Sequence, residues 1–321
     1  MDRQLSLEFA RITEQAALKS ARLVGLGDKE GADQAAVDGM HEQFALTPVS
    51  GTVVIGEGEI DEAPMLYIGE HVGLGGEEED IAVDPVEGTN LVAKGKNGAI
   101  AVLAIAPKGC LLHAPDMYMQ KICVGPRAKG RIDIRASVTE NLKNVADAMG
   151  REVSDLTMVI LDRERHEKII REAREAGARV YLITDGDVVP SVDCGIQGSG
   201  IHMVMGSGGA PEGVLSAVGL KCLGGDMQAR LLPQTEQEIQ RLHTMGIDDP
   251  NKVLTLDDLV KGDDCIFAET AITDCAMLRG VRFFGGGART STLVLRYKTG
   301  TVRFIDTVHR FGEDKPGVRM F

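Results

Sequence analysis

The chain has 321 residues, 43% of them hydrophobic, and a formal net charge of −13. That length and apolar content suit one large or two modest globular domains, while the acidic balance and the lack of Trp argue against nucleic acid or an anionic membrane as partner. No apolar run reaches membrane-spanning length, and Met1-Asp2-Arg3-Gln4 lacks the pattern of a signal peptide, so a cytoplasmic protein is expected.

Leu5, Phe9, Ile12, Ala16 and Leu23 fall on one face at helical spacing and predict a first helix, ended by Gly25-Leu26-Gly27. A second helix is expected over roughly 31–45, with Val37, Met40 and Phe44 as its inward stripe. Counting back four residues puts Asp33 on that face and Asp38 opposite. Asp33 is then either a helix-start acid favoured by the macrodipole or a carboxylate that needs a partner, because burying an unpaired charge is costly.

Two strand-like runs follow, each ending in acid and glycine. Thr52-Val53-Val54-Ile55 leads into Gly56-Glu57-Gly58-Glu59-Ile60-Asp61-Glu62, and Asp80-Ile81-Ala82-Val83 into Asp84-Pro85-Val86-Glu87-Gly88-Thr89-Asn90. Carboxylates gathered where two strands stop repel one another unless a cation lies between them. Mg²⁺ or Mn²⁺ would meet that need with oxygen ligands. The alternative is a set of solvated loop acids.

Residues 73–80 read as a surface loop, 98–106 and 119–124 as strands, and 140–149 as a short helix. From Leu156 the chain repeats strand, turn and helix: 157–161 before Asp162-Arg163-Glu164-Arg165-His166, 179–183 before Thr184-Asp185-Gly186-Asp187, and 201–205 before a glycine run and a helix to Leu223. This alternation implies a mostly parallel sheet, whose ligands gather beyond the carboxyl ends of its strands. Residues 291–298 and 301–308 flank Thr299-Gly300 as a hairpin. Six cysteines without C-x-x-C spacing indicate neither zinc nor a redox pair.

The glycines at 195–200 precede a strand, the wrong context for a dinucleotide fingerprint, and those at 206–213 carry Pro211 and Glu212 where bare amides are needed. Arg163 and Arg165 suit a phosphate, since guanidinium forks match its oxygens, or form a helix-start charge cluster. Asp185 and Asp187 could accept hydrogen bonds from sugar hydroxyls or be ordinary turn acids. Tyr118 could touch ligand or fill the core.

Asp84-Pro85-Val86-Glu87-Gly88-Thr89 directly after an apolar strand resembles the signature of the lithium-sensitive, metal-dependent sugar-phosphate and inositol-phosphate phosphatases. Its spacing has a physical logic. Asp84 and Glu87 flank a turn stiffened by Pro85, Gly88 and Thr89 open a helix whose free amides suit phosphate, and Thr89 can orient a water. Gly56 to Leu66, Gly27-Asp28-Lys29-Glu30, Thr184-Asp185-Gly186-Asp187, Gly208-Gly209-Ala210-Pro211-Glu212-Gly213 and Gly300-Thr301-Val302-Arg303 are similar to the bacterial class II fructose-1,6-bisphosphatases. At Ala268 to Cys275 the chain departs from that family, with Ala271 and Cys275 in place of two glycines.

The resemblance implies a layered α/β fold (α-β-α-β-α), with a metal-binding catalytic domain at 1–155 compactly joined to a sugar-phosphate-binding domain at 156–321. It implies metal ligands Asp33, Glu57, Asp84, Glu87 and Glu212 for two or three Mn²⁺ or Mg²⁺ ions. Substrate contacts would come from Glu87, Gly88, Thr89, Tyr118, Arg163, Glu164, Arg165, Asp185, Gly186, Asp187 and Gly209. The expected reaction is hydrolysis of the 1-phosphate of fructose 1,6-bisphosphate, with Thr89 orienting water and Asp61, helped by Glu59, taking its proton. Rival readings are sedoheptulose 1,7-bisphosphate as substrate, an inositol-phosphate phosphatase, and a silent sugar-phosphate sensor. A homodimer or homotetramer is expected from the family.

Overall fold

The structure is a computed structural model that describes residues 1, 5–58, 65–114, 116–244, 247–249 and 251–311. Two compact units divide the chain: Met1–Gly109 with the described residues from Asp263 onward, and Cys110–Gly262.

The first unit begins with α1 (Leu5–Ser20), whose Phe9, Ile12 and Ala16 are fully buried at the spacing read from the sequence. Burying a side chain such as Phe9 or Ile12 contributes about 1.5–3 kcal/mol. A short 3-10 turn carries the helix on to Leu23. Next come α2 (Lys29–Phe44), β1 (Ser50–Ile55), β2 (His71–Val72), β3 (Glu78–Glu87), α3 (Thr89–Ala93) and β4 (Ile100–Pro107). Asp28 caps α2 by accepting a 2.8 Å hydrogen bond from the Gly31 amide.

The second unit runs β5 (Tyr118–Val124), α4 (Val138–Met149), β6 (Thr157–Leu161), α5 (Glu167–Glu175), β7 (Arg179–Ile183), α6 (Val188–Asp193), β8 (Met203–Gly209), α7 (Ala210–Leu223), β9 (Asp226–Leu231), α8 (Glu236–Thr244), β10 (Leu254–Thr255) and α9 (Leu256–Leu259). The chain then returns to the first unit with β11 (Ile266–Ala271), β12 (Arg282–Phe284), β13 (Gly287–Arg296) and β14 (Thr301–Arg310).

Each unit is built on its own mixed sheet with helices, so the fold is α/β. The first sheet has eight strands in the order β12-β13-β11-β4-β3-β1-β2, with β14 also on β13; the second has six, β10-β9-β5-β8-β6-β7. Among the described residues parallel pairing is confined to β1–β3, β6–β7 and β6–β8, which corrects the mostly parallel sheet expected from the alternating grammar. The cause lies in β5, which inserts antiparallel between β8 and β9. It also places the unit boundary at 109/110 rather than near 155, because β5 belongs to the second sheet and the hairpin tail to the first.

The acids before Ile81 differ too. Glu79 and Asp80 are buried within β3 instead of lying in a surface loop. The Met1 ammonium stands 3.8 Å from Glu79. Burial pushes the Glu79 carboxyl up to about 7, against the pull of that ammonium. The hairpin β13–β14 forms as expected, with a four-residue loop, 297–300, between Arg296 and Thr301. At the departure from the family pattern, neither Ala271 nor Cys275 takes a positive φ. Replacing glycine there therefore imposes no left-handed strain.

Candidate active site

β1 and β3 run parallel, and their pairing ends at Ile55 with Ala82, two residues before Glu57 on one segment and two before Asp84 on the other. Adjacent strands lie about 4.8 Å apart. Between Asp84 and Glu87 the register against β4 slips by one residue, since Asp84 pairs with Val102 and Glu87 with Ile100. In a regular strand residues three apart point to opposite faces; the extra residue of this bulge, next to Pro85, turns both carboxylates to one side. The Val86 amide donates to Asp84 Oδ1 at 3.1 Å and fixes the turn. Gly88 follows at φ 91°, and Thr89 is the first residue of α3.

Asp33, in the first turns of α2, shares a hydrogen bond with Glu57. Burial raises the Asp33 carboxyl, partly offset by that bond and by Lys29. Burial also raises Glu57, and the Asp33 charge beside it raises it further. The pair therefore holds a proton that a cation would displace. Hard oxygen donors on two elements, reluctant to ionise without a positive partner, fit a divalent ion such as Mg²⁺ or Mn²⁺. Among the described residues, no group of three or more acidic, His or Cys side chains is by itself arranged to hold a metal ion.

In the second unit Tyr118 opens β5 opposite Gly209 of β8. The Arg165 guanidinium stacks 4.9 Å above the Tyr118 ring. It donates from Nε to Ser207 Oγ at 2.9 Å and from Nη2 to the Ser207 carbonyl at 2.8 Å. Arg163 also donates twice, to the carbonyls of Asp162 at 3.0 Å and Thr184 at 2.8 Å. Arg163 is half-buried, whereas Arg165 is exposed, as is Glu164 beside it.

His166 is buried behind this pair. Its Nδ1–H donates to the Leu161 carbonyl at 2.8 Å, and Nε2 accepts the Ser207 amide at 2.9 Å. Burial lowers its pKa, as do Arg165 and Arg163, against the raising effect of the Leu161 bond. The imidazole is a neutral strut. Asp185 and Gly186 are half-buried, but Asp187 is buried and its Oδ1 accepts from Lys121 Nζ at 2.8 Å.

Glu212 lies in the first turn of α7, where its Oε2 is buried with no hydrogen-bond donor among the described residues. Burial raises its carboxyl; Lys121 opposes that rise and Asp187 adds to it. A Cβ at Gly209 would collide with Glu212 Oε2, so any larger residue there would make the Glu212 carboxylate shift.

Residues 3–309 match the family of bacterial, glpX-encoded fructose-1,6-bisphosphatases. The chain belongs to that family. It is 50% identical to a D-fructose 1,6-bisphosphatase class 2/sedoheptulose 1,7-bisphosphatase of Synechococcus sp. (strain JA-2-3B'a(2-13)), over 100% of both chains. Proteins of the same description from Trichodesmium erythraeum and Synechococcus elongatus are 47% and 46% identical, covering 98% of this chain and 99% of theirs. The chemistry of this fructose-1,6-bisphosphatase family is metal-dependent hydrolysis of a phosphate ester.

Of the residues expected from the sequence, Asp33 and Glu57 share a hydrogen bond, and Asp84 and Glu87 share a face. Tyr118 and Arg165 also meet. Asp61 and Glu59 lie outside the described residues. Sequence reasoning missed Lys121 and His166. Lys121 left a signal: it sits between Met119 and Cys123 on an apolar strand face, where an ammonium demands an acid.

Proposed function

We propose that this protein hydrolyses the 1-phosphate of fructose 1,6-bisphosphate, giving fructose 6-phosphate and phosphate. The observation that carries this reading is Glu57, hydrogen-bonded to Asp33 just past the end of β1, together with the bulge of the neighbouring β3 that turns Asp84 and Glu87 to one face. Asp33, Glu57, Asp84 and Glu87 are the proposed ligands in the first unit; Glu212, in the second, is proposed as a ligand on its own buried carboxylate oxygen, which has no donor among the described residues. Two or three Mg²⁺ or Mn²⁺ ions held by them supply charge neutralisation and Lewis acidity.

The chain's own part is positioning. Gly88 and Thr89 approach the phosphate through backbone amides, and the Thr89 hydroxyl orients the attacking water. Asp61, helped by Glu59, takes the water's proton through that hydroxyl. The water oxygen attacks phosphorus in line, the bond to the C1 oxygen breaks, and that oxygen takes a proton from solvent while Asp61 returns its own to solvent. Arg165, supported by Ser207 and stacked on Tyr118, is the proposed anchor of the distal phosphate. The turn Asp185-Gly186-Asp187, with Arg163, Glu164 and Gly209, contacts the sugar.

Sedoheptulose 1,7-bisphosphate is the second reading, favoured by the double description of the relatives from Synechococcus and Trichodesmium. Six free cysteines suit a reducing cytoplasm, and among the described residues no helix is long and apolar enough to cross a membrane. The homodimer or homotetramer expected from the resemblance stands as a proposal for light scattering to test.

Phosphate release from fructose 1,6-bisphosphate, sedoheptulose 1,7-bisphosphate and inositol 1-phosphate, each with Mn²⁺, tests the reading. Turnover of the fructose ester is expected, with or without the sedoheptulose ester. Turnover of inositol phosphate alone, or of none of the three, overturns it.

A further inference from the structure

Lys121 is a full-length cation with 1% of its surface exposed, in the middle of β5. It has one ion-pair partner among the described residues, Asp187 Oδ1 at 2.8 Å, and that carboxylate is itself 7% exposed. The sheet is built around the pair. Lys121 lies opposite Gly206 on β8 and Ala229 on β9, so neither neighbouring strand brings a large side chain beside it. A Cβ at Gly208 would stand 2.5 Å from Asp187 Oδ2 and 3.4 Å from Lys121 Nζ. The same strand spares room for His166, whose ring would lie 3.1 Å from a Cβ at Gly206.

Burying both charges is costly unless their geometry is fixed. Here they fix the end of the turn that starts at Thr184. Asp187 is the residue before α6, and its carbonyl accepts the Ser191 hydroxyl at 2.6 Å. With its carboxylate pinned from below, the turn has a set height above the sheet, and Asp185 and Gly186 stay at the half-exposed rim.

We propose that Lys121 is a positioning residue for substrate binding: by anchoring Asp187 it holds the Asp185-Gly186-Asp187 turn in the shape that receives the sugar. This rests on the assignment of that turn to the sugar. Lys121 does not meet the substrate and acts through Asp187.

The test compares wild type, Lys121→Met, Asp187→Asn and the double variant, all assayed on fructose 1,6-bisphosphate with a Mn²⁺ titration. Lys121→Met is expected to raise KM on the order of tenfold, with kcat and the half-activating Mn²⁺ concentration within about threefold. The double variant should match Asp187→Asn alone, because Lys121 has no route to the substrate once its partner is neutral. The double variant leaves neither charge buried without its counter-ion, so its KM against wild type, expected to rise as in Asp187→Asn, still decides the matter if either single variant does not fold, and an unchanged value overturns the proposal. Unchanged KM in Lys121→Met or Asp187→Asn, a shift confined to Mn²⁺ activation, or a further KM rise in the double variant overturns the proposal. Failure of the wild type to release phosphate instead overturns the functional reading beneath it.

Discussion

In the first unit Asp33 and Glu57 are raised by burial and, at Glu57, by the neighbouring acid. In the second, Arg165 rests on Ser207 and Tyr118, and Lys121 on Asp187. The acidic half is electrostatically incomplete without a cation, whereas the basic half is already propped by its own hydrogen bonds. A metal phosphatase needs both: carboxylates whose burial and mutual repulsion a cation relieves, and cations whose direction is set before the substrate arrives. The difference teaches that removing a residue from the two halves should leave different signatures, one in metal dependence and one in KM.

The largest effect is expected at the proton acceptor. Asp61→Ala should lower kcat by ~10²–10⁴-fold with little change in KM, measured by steady-state phosphate release. Unaltered turnover would remove Asp61 from the mechanism. On the acidic half, Glu57→Gln should raise the half-activating Mn²⁺ concentration by at least the ~10–100-fold that loss of a ligand's own partner costs. The same variant should melt no lower than wild type in chelator, since it loses a carboxyl that folding keeps from ionising. On the basic half, Arg165→Ala should raise KM for fructose 1,6-bisphosphate by about tenfold or more, as for losing a charge-assisted hydrogen bond. KM for fructose 1-phosphate should stay near the wild-type value. An equal loss on both esters would detach Arg165 from the distal phosphate.

A smaller effect lies away from the charged residues just compared, at the end of α6. Asp193 is buried with neither carboxylate oxygen hydrogen-bonded among the described residues, and burial pushes its pKa up to about 7. The folded state holds that proton more tightly than the unfolded chain, so stability is full below the unfolded value of 3.8 and is lost as pH rises through about 7. Asp193→Asn should therefore gain about 1–3 kcal/mol at pH 8 in urea unfolding, and less at pH 5.5. A gain independent of pH would show that the carboxylate has a partner after all.

Much of the acidic half was legible in the sequence because its chemistry follows local grammar. β-Branched runs ending in Gly and Pro mark strand ends, and Asp33 could be placed by counting turns from Val37. The bulge that aligns Asp84 with Glu87 was not legible, because register is set by β4 pairing rather than by the strand itself. The second unit misled more. Its alternating pattern hid the antiparallel insertion of β5, whose neighbours are distant in the chain. Lys121 and His166 went unseen for the same reason, since their partners Asp187 and Ser207 come from other elements. The buried Glu79 and Asp80 have the composition of a loop, because the cation that folding brings beside Glu79 is distant in the chain.

Removal of divalent cations tests most directly whether the raised carboxylates of the first unit exist to hold them. Purified enzyme is stripped with excess chelator, assayed on fructose 1,6-bisphosphate, and then titrated with Mn²⁺ or Mg²⁺ while unfolding temperature is followed in parallel. Turnover should vanish on stripping and return on titration, with a rise in unfolding temperature that Glu57→Gln lacks. Full turnover in excess chelator would contradict the account.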